Sequence, residues 1–179
     1  ASTAVLPVIF QKQFIRKDGS RYPVLLHGIT GSGKTEIYIR LASEQLDKGR
    51  SVLMLVPEIA ITPQIAARFR AAFGESVAIW HSQMRDAERL WTWNQILRGN
   101  IRVVVGARSA LFAPLPDIGL IIVDEEHEAT YKQDDPVPRY HARDAAVMYG
   151  HILNIPVLLG SATPSLESYY LSALHRYKR

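Results

Sequence analysis

The chain has 179 residues, 47% of them hydrophobic and 21% charged, with a formal net charge of +4, which predicts one globular domain with a full core. It has no cysteine, which excludes disulfides and thiolate metal sites within it. No apolar run reaches spanning length and the N-terminus lacks a charged-then-apolar leader, so no membrane partner is expected and a cytoplasmic location is the default.

Ala1-Ser2-Thr3-Ala4 and Arg176-Tyr177-Lys178-Arg179 read as the ends of a piece of something longer. Residues 5–15, with Pro7 early, read as a helix, and Lys17-Asp18-Gly19-Ser20 as a turn, so 1–23 is a lead-in to the body at 24–179. Strand 24–27 leads through a glycine-rich loop into helix 34–48, which Gly49 closes. Strand 52–56 ends at Pro57, and helix 63–73 follows with Pro63 in its first turn and Gly74 behind it. Strand 77–80 precedes helix 85–97, closed by Gly99. Strand 101–105 leads to a helical turn near 107–111, and strand 120–123 runs into Asp124. A polar, aromatic loop at 127–141 precedes helix 142–152, strand 156–159 and a last helix at 165–175. Apolar strands alternating with helices predict a doubly wound, mostly parallel α/β sheet with helices on both faces. Trp91 and Trp93 cannot both face the core from one helix, so one of them is expected to be exposed or covered by a domain outside this piece.

Gly28-Ile29-Thr30-Gly31-Ser32-Gly33-Lys34-Thr35 fits G-x-x-x-x-G-K-[ST], the Walker A phosphate loop, at every fixed position. Backbone N–H groups cradle the phosphates, so glycines are needed for left-handed dihedrals and close approach. Lys34 supplies charge to the β/γ-phosphates of ATP, and the Thr35 hydroxyl is suited to Mg²⁺. From Glu36 onward the chain reads as a helix whose N-terminus favours anions. The competing reading is a chance glycine turn.

Asp124-Glu125-Glu126-His127 follows four aliphatic residues, at the carboxyl end of a parallel strand where ligands bind. Asp124 is expected to hold Mg²⁺ opposite Thr35, and Glu125 to orient and deprotonate the attacking water. Three adjacent acids repel one another, which a bound cation would relieve; a solvated acidic turn is the alternative. Ser161, Ala162 and Thr163 end the next strand beside Asp124, where small hydroxyl residues can sense the metal-bound water; a strand-end turn and helix cap is equally compatible.

Pro57, Glu58, Thr62 and Gln64 leave one strand end and open a helix, while Arg108 and Ser109 follow a neighbouring strand on the same sheet edge. Thr62, Gln64 and the helix N–H groups, with Arg108 and Ser109, offer phosphate contacts to a nucleic-acid backbone. Pro57 and Glu58 are grouped beside them as candidate DNA-contacting residues; ordinary capping by Thr62 is the alternative. Tyr131, Lys132, Arg139, Tyr140 and Arg143 interleave aromatics with cations, which suits a single-stranded nucleic-acid track. Rings packed on the sheet, with solvated charges, are the bland alternative.

Gly28–Glu36, Leu55–Gln64, Gly106–Phe112, Asp124–His127 and Gly160–Ser165 occur in helicase order and resemble motifs I, Ia, Ib, II and III of superfamily 2. Val-Pro-Glu-Ile-Ala, Arg-Ser-Ala-Leu-Phe, the Asp-Glu-Glu-His (DEEH) box, Tyr131-Lys132-Gln133 and Arg139–Asp144 narrow this to a resemblance to PriA-type primosomal replication-restart helicases. It covers about residues 24–175. The resemblance implies the first RecA-like lobe of a P-loop NTPase and 3′-to-5′ DNA helicase acting at stalled or repaired forks in primosome assembly. Implied partners are forked and single-stranded DNA, other primosome proteins and single-strand-binding protein. Motif III is implied to couple ATP turnover to the DNA track.

A complete motor of this class needs a second lobe carrying an arginine finger, and none fits after residue 175. The family's zinc-binding cysteines are likewise expected only elsewhere in a longer protein. Gln11 and Gln13 are present near the family's adenine-recognising motif, but the spacing assigns neither. This piece alone is expected to bind nucleotide weakly and not to unwind DNA. Another superfamily 2 translocase, such as a restriction translocase or RNA helicase, would share motifs I, II and III; a non-catalytic NTP-binding module would not need Glu125.

Overall fold

A computed structural model describes residues 23–29, 32–135, 137–174 and 176–177. The helix expected over 5–15, the turn at 17–20, and Thr30 and Gly31 of the phosphate loop lie outside the described residues.

Six strands form one sheet, β1 (Pro23–His27), β2 (Ser51–Leu55), β3 (Val77–Trp80), β4 (Val103–Gly106), β5 (Ile118–Val123) and β8 (Val157–Ser161). Their spatial order is β1-β8-β5-β2-β4-β3, and each pairing within it is parallel. The helices are α1 (Lys34–Asp47), α2 (Pro63–Phe73), α3 (Asp86–Leu97), α4 (Ala142–Leu153) and α5 (Leu166–Ala173).

Runs of β-branched and aliphatic residues make the central strands apolar on both faces, and β2, β5 and β8 are buried throughout. Side chains alternate across the pleat, so the sheet divides the core in two. Val52, Met54, Leu120, Ile122 and Leu158 pack on one face against Tyr38 and Leu41 of α1 and Phe69 of α2. Leu53, Leu55, Ile121, Val123 and Leu159 pack on the other against Ile96 of α3 and Ala142 and Ala146 of α4. Each such aliphatic chain contributes about 1.5–3 kcal/mol through its removal from water. The doubly wound α/β fold expected from the sequence is the fold observed.

Most element boundaries shift by one or two residues from expectation, and three differences have a visible cause. β8 runs on to Ser161 rather than ending at Leu159, because Gly160 and Ser161 remain paired with Leu26 and His27 of β1. β4 begins at Val103, since the Ile101 N–H instead bonds the Gln95 carbonyl in the turn after α3. The loop at 127–141 is partly ordered: a 3-10 turn at Ala129–Tyr131 precedes a small antiparallel pair, β6 (Lys132–Gln133) with β7 (Tyr140–His141). On α3, Trp91 and Trp93 are both exposed, Trp93 the less so, with its ring 6.3 Å from that of the buried Trp80.

A polar knot fastens α4 and α5 to the end of β5. Glu126 has 0% exposure, and its carboxylate accepts from Arg143 Nη1 at 3.0 Å, Ser165 N at 2.7 Å, Ser165 Oγ at 3.1 Å and Ser168 Oγ at 2.8 Å. Ser165 also caps α5 by accepting from Ser168 N. Four donors on one buried carboxylate offset its desolvation, and removal of the cation would leave an uncompensated charge. Arg143→Ala should therefore destabilise the fold by about 3–5 kcal/mol. Lys132→Ala, which removes only the exposed pair with Asp134, should cost under about 1 kcal/mol. Denaturant unfolding of the two variants checks this contrast, and equal midpoints would refute it.

Candidate functional site

The phosphate loop connects β1 to α1. Gly33 takes φ +85°, a left-handed conformation that lets the chain turn into α1. Gly28 sits where a Cβ would lie 2.8 Å from Ser32 Oγ, and the Ser32 N–H bonds the Ile29 carbonyl at 3.1 Å. Lys34 opens α1 and is buried; its ammonium donates to the Gly28 carbonyl at 2.9 Å and stands 3.3 Å from Glu125 Oε1. Thr35 follows, half-buried, in the first turn of α1, and Glu36 is exposed and paired with Arg40 at 3.3 Å.

The DEEH acids diverge instead of crowding. Asp124 Oδ1 accepts from the Tyr38 hydroxyl at 2.8 Å. Glu125 turns with φ +43°, an uncommon backbone for a non-glycine residue. Its Oε1 faces Lys34, while its Oε2 accepts from Ala162 N at 3.3 Å. Glu126 points into the knot with Arg143. The repulsion expected among the three acids is thus relieved by three separate partners: a phenol, an ammonium and a guanidinium.

Burial pushes the Asp124 carboxyl above its ordinary value, while the Tyr38 hydrogen bond pulls it back. Burial first, and then the charge of Asp124, raise the Tyr38 phenol, which remains a neutral donor. A carboxylate offers about four lone-pair positions, so a tyrosine donor leaves acceptor capacity for a hard cation or its water. Thr35 and Asp124 carry oxygen donors of the hard kind that Mg²⁺ prefers. No group of three or more His, Cys, Asp or Glu that could hold a metal occurs among the described residues.

Ser161, Ala162 and Thr163 close the site from β8. His127 Nδ1 lies 2.8 Å from Ser161 Oγ and its Nε2 lies 3.2 Å from Thr163 Oγ1. The Thr163 N–H bonds Ser161 Oγ at 3.0 Å. One hydrogen-bonded circuit thereby joins His127, the 161–163 turn and, through Ala162, the Glu125 carboxylate.

The residues expected to meet DNA separate into surface and interior groups. Pro57 is buried, while Glu58 and Gln64 are exposed. Glu58 accepts from the Ser82 hydroxyl, and Thr62 caps α2 by accepting from Ile65 N at 3.3 Å. Ser109, Lys132 and Arg139 are exposed. Arg108 reaches across to the loop and donates to the Lys132 carbonyl at 2.7 Å. The Tyr140 ring meets Phe112 edge-on at 5.5 Å.

Tyr131 and Arg143 differ from the surface role expected of them. Tyr131 is 1% exposed, and its hydroxyl donates to the Asp124 carbonyl at 2.6 Å, so its ring cannot stack on a base in this conformation. Arg143 is committed to Glu126, Asp144 and Ser165, because an ionised Glu126 inside the protein requires a cation.

Sequence reasoning missed Tyr38 and Ser168, and gave Gly160 no role beyond its place in motif III. Tyr38 lies four residues after Lys34 on the buried stripe of α1, a period that reads as plain core. Gly160 reads as a turn residue, and Ser168 as an exposed helix position; no local pattern announces their partners.

A sequence profile of DEAD/DEAH box helicases matches residues 9–170. The Replication restart protein PriA of Synechocystis sp. is 52% identical over 157 residues, which is 88% of this chain and 19% of that protein. PriA of Bacillus subtilis is 52% identical over 145 residues, 81% of this chain and 18% of that protein. The chain thus spans about a fifth of the length of these relatives. Among solved structures, the Pyrococcus furiosus Hef helicase domain superposes with a TM-score of 0.61 at 24% identity, covering 96% of this chain and 36% of that one. RecG bound to a three-way DNA junction gives 0.61 at 22%, covering 88% and 20%. Both likenesses concern the RecA-like fold of P-loop NTPases, while the sequence matches concern descent. The chain belongs to the DEAD/DEAH box helicase family, and within it matches the PriA-type replication restart helicase domain at 45–55% identity over most of its length.

Proposed function

We propose that residues 24–179 are the ATP-binding first lobe of a 3′-to-5′ DNA helicase that acts at stalled or repaired replication forks in primosome assembly. Family membership supports ATP and Mg²⁺ binding at the phosphate loop. The observation that supports the ATPase reading is the convergence of Lys34, Asp124, Glu125 and Ser161–Thr163 on one end of the sheet; polarity and the fork role rest on the likeness to PriA-type helicases.

In this reading the loop N–H groups and Lys34 bind the triphosphate, with Lys34 exchanging its contact with Glu125 for a phosphate oxygen. Thr35 and Asp124 would hold Mg²⁺, which when bound spreads the charge between the β- and γ-phosphates. Glu125, released from Lys34, orients the attacking water and takes its proton at a carboxylate oxygen. Its bond to Ala162 N holds the second oxygen, so a shift of the 161–163 turn would re-aim the base. That is how this turn would couple hydrolysis to the track.

On the nucleic-acid side, Glu58, Gln64 and Ser109, with the helix-start at Pro57 and Thr62, line the same edge as the cationic loop. Lys132, Arg139 and Tyr140 would touch the single strand; Arg108, Tyr131 and Arg143 hold the loop from beneath. Partners of the whole protein would be forked and single-stranded DNA, other primosome proteins and single-strand-binding protein, with zinc held by another part of the polypeptide. A second lobe with an arginine finger is required, so this lobe alone should bind nucleotide weakly and unwind nothing.

Glu125→Gln in the intact protein should cut ATP turnover by about 10²–10⁴-fold. Nucleotide affinity should hold or rise, since Lys34 loses a competing anion. Steady-state hydrolysis and calorimetry check this, and turnover preserved within a few-fold would remove Glu125 from the base role.

The paired change Lys132→Ala with Arg139→Ala removes two exposed cations without touching the interior. DNA-stimulated hydrolysis should fall severalfold while basal hydrolysis is unchanged. Equal losses with and without single-stranded DNA would mean that the loop only supports the fold.

A further inference from the structure

A carboxylate at a strand end turns freely about its last bond, where the torsion is broad and two-fold. Asp124 lacks that freedom, because the Tyr38 hydroxyl donates to Oδ1 at 2.8 Å. Tyr38 has 0% exposure and is wedged among Leu41, Val52, Met54 and Leu158, so its ring cannot follow a rotating carboxylate. It stands one turn after Lys34 and Thr35 on α1, on the same rigid element as the phosphate-loop lysine. β8 leaves room for the contact at Gly160, where a Cβ would lie 1.8 Å from Tyr38 Oη and 3.2 Å from Asp124 Oδ1. Any side chain at that position would expel the hydroxyl.

We propose that Tyr38 is a positioning residue for the metal: it fixes the rotation of the Asp124 carboxylate relative to Thr35, so that the two oxygen ligands meet Mg²⁺ without rearrangement. This rests on the reading that Asp124 binds Mg²⁺ with the nucleotide. A buried phenol bonds to some acceptor in any fold. Here the acceptor is the one carboxylate whose orientation a metal would feel, and a glycine in a third element keeps the contact open. Outer-shell partners of this kind commonly hold 10–100-fold of a site's metal affinity.

The test is made on the intact protein with a non-hydrolysable ATP analogue, with Mg²⁺ titrated and, separately, in EDTA. Tyr38→Phe keeps the ring and removes only the O–H. The Mg²⁺ concentration for half-maximal analogue binding should rise about tenfold or more, while affinity in EDTA stays within about twofold, since phosphate contacts remain. Gly160→Ala, which displaces the hydroxyl from the other side, should shift Mg²⁺ demand in the same direction and stands in if Tyr38→Phe does not fold. In an Asp124→Asn background the Tyr38→Phe shift should vanish. An unchanged Mg²⁺ midpoint in Tyr38→Phe, or equal losses with Mg²⁺ and in EDTA, would overturn the proposal and leave Tyr38 as packing. Asp124→Asn with unaltered Mg²⁺ dependence would instead overturn the metal role of Asp124, and this proposal with it.

Discussion

Everything at the site depends on the register of three adjacent parallel strands. β8 lies between β1 and β5, with Leu26 opposite Gly160, His27 opposite Ser161 and Val123 opposite Leu159. Parallel pairing aligns the carboxyl ends of neighbouring strands, where each chain leaves the sheet with polar groups still to be satisfied. The phosphate loop, the DEEH box and the 161–163 turn therefore emerge side by side, although the sequence separates the first from the last by more than a hundred residues. A one-residue slip of β8 would invert the facing of its side chains. It would carry Gly160 away from Tyr38 and Ser161 away from His127. The aliphatic runs that hold this register, buried on both faces, thus have a functional consequence at their ends.

The electrostatics follow from that geometry. Four consecutive residues with three carboxylates would be costly on one surface, yet each acid leaves the strand end in a different direction. Glu126 goes inward and acts structurally, since its carboxylate receives Arg143 and the start of α5. Glu125 stays at the mouth, between an ammonium and a backbone N–H. Asp124 sits between them in depth, buried enough for its carboxyl to be raised. The left-handed backbone at Glu125 lets adjacent residues face opposite ways, and is the kind of local strain that clusters at functional sites.

The fold was legible because its signals are redundant. Short aliphatic runs, glycines after helices and Pro63 at a first turn all pointed to the same alternation, and the helix at 63–73 and strand at 77–80 matched to the residue. The phosphate loop and DEEH box were legible for another reason: their function fixes residue types at adjacent positions. Legibility failed where meaning lay in a long-range partner. Tyr131 and Arg143 looked like exposed aromatic and cation because composition alone records no partner. Burial came from Asp124's carbonyl and Glu126, which only the folded chain brings near. The end of β8 was misjudged because Gly-Ser-Ala-Thr reads as a turn, while pairing with β1 extends the strand through two of those residues.

These interior residues change what a coupling path through this lobe would consist of. Asp124 is gripped at two points: Tyr38 from α1 holds its carboxylate, and Tyr131 from the loop holds its carbonyl. The loop is in turn held by Arg108 through the Lys132 carbonyl, and its far end enters α4 at the Arg143–Glu126 pair. A strand of DNA pressing on Lys132 or Arg139 would therefore act on a segment anchored on both sides to the DEEH box. It would not act on a free flap. Contiguity does not make a coupling path, which also needs an element with two arrangements. The contacts at Glu125 are suited to that role: Lys34, Ala162 N and, at 3.7 Å, His127 Nδ1 are separate contacts at the mouth, whereas Glu126 below is buried under four donors. The site thus places a lightly held acid above a firmly held one, and under the proposed mechanism motion of the loop would be felt at the upper acid because the lower one holds the frame still.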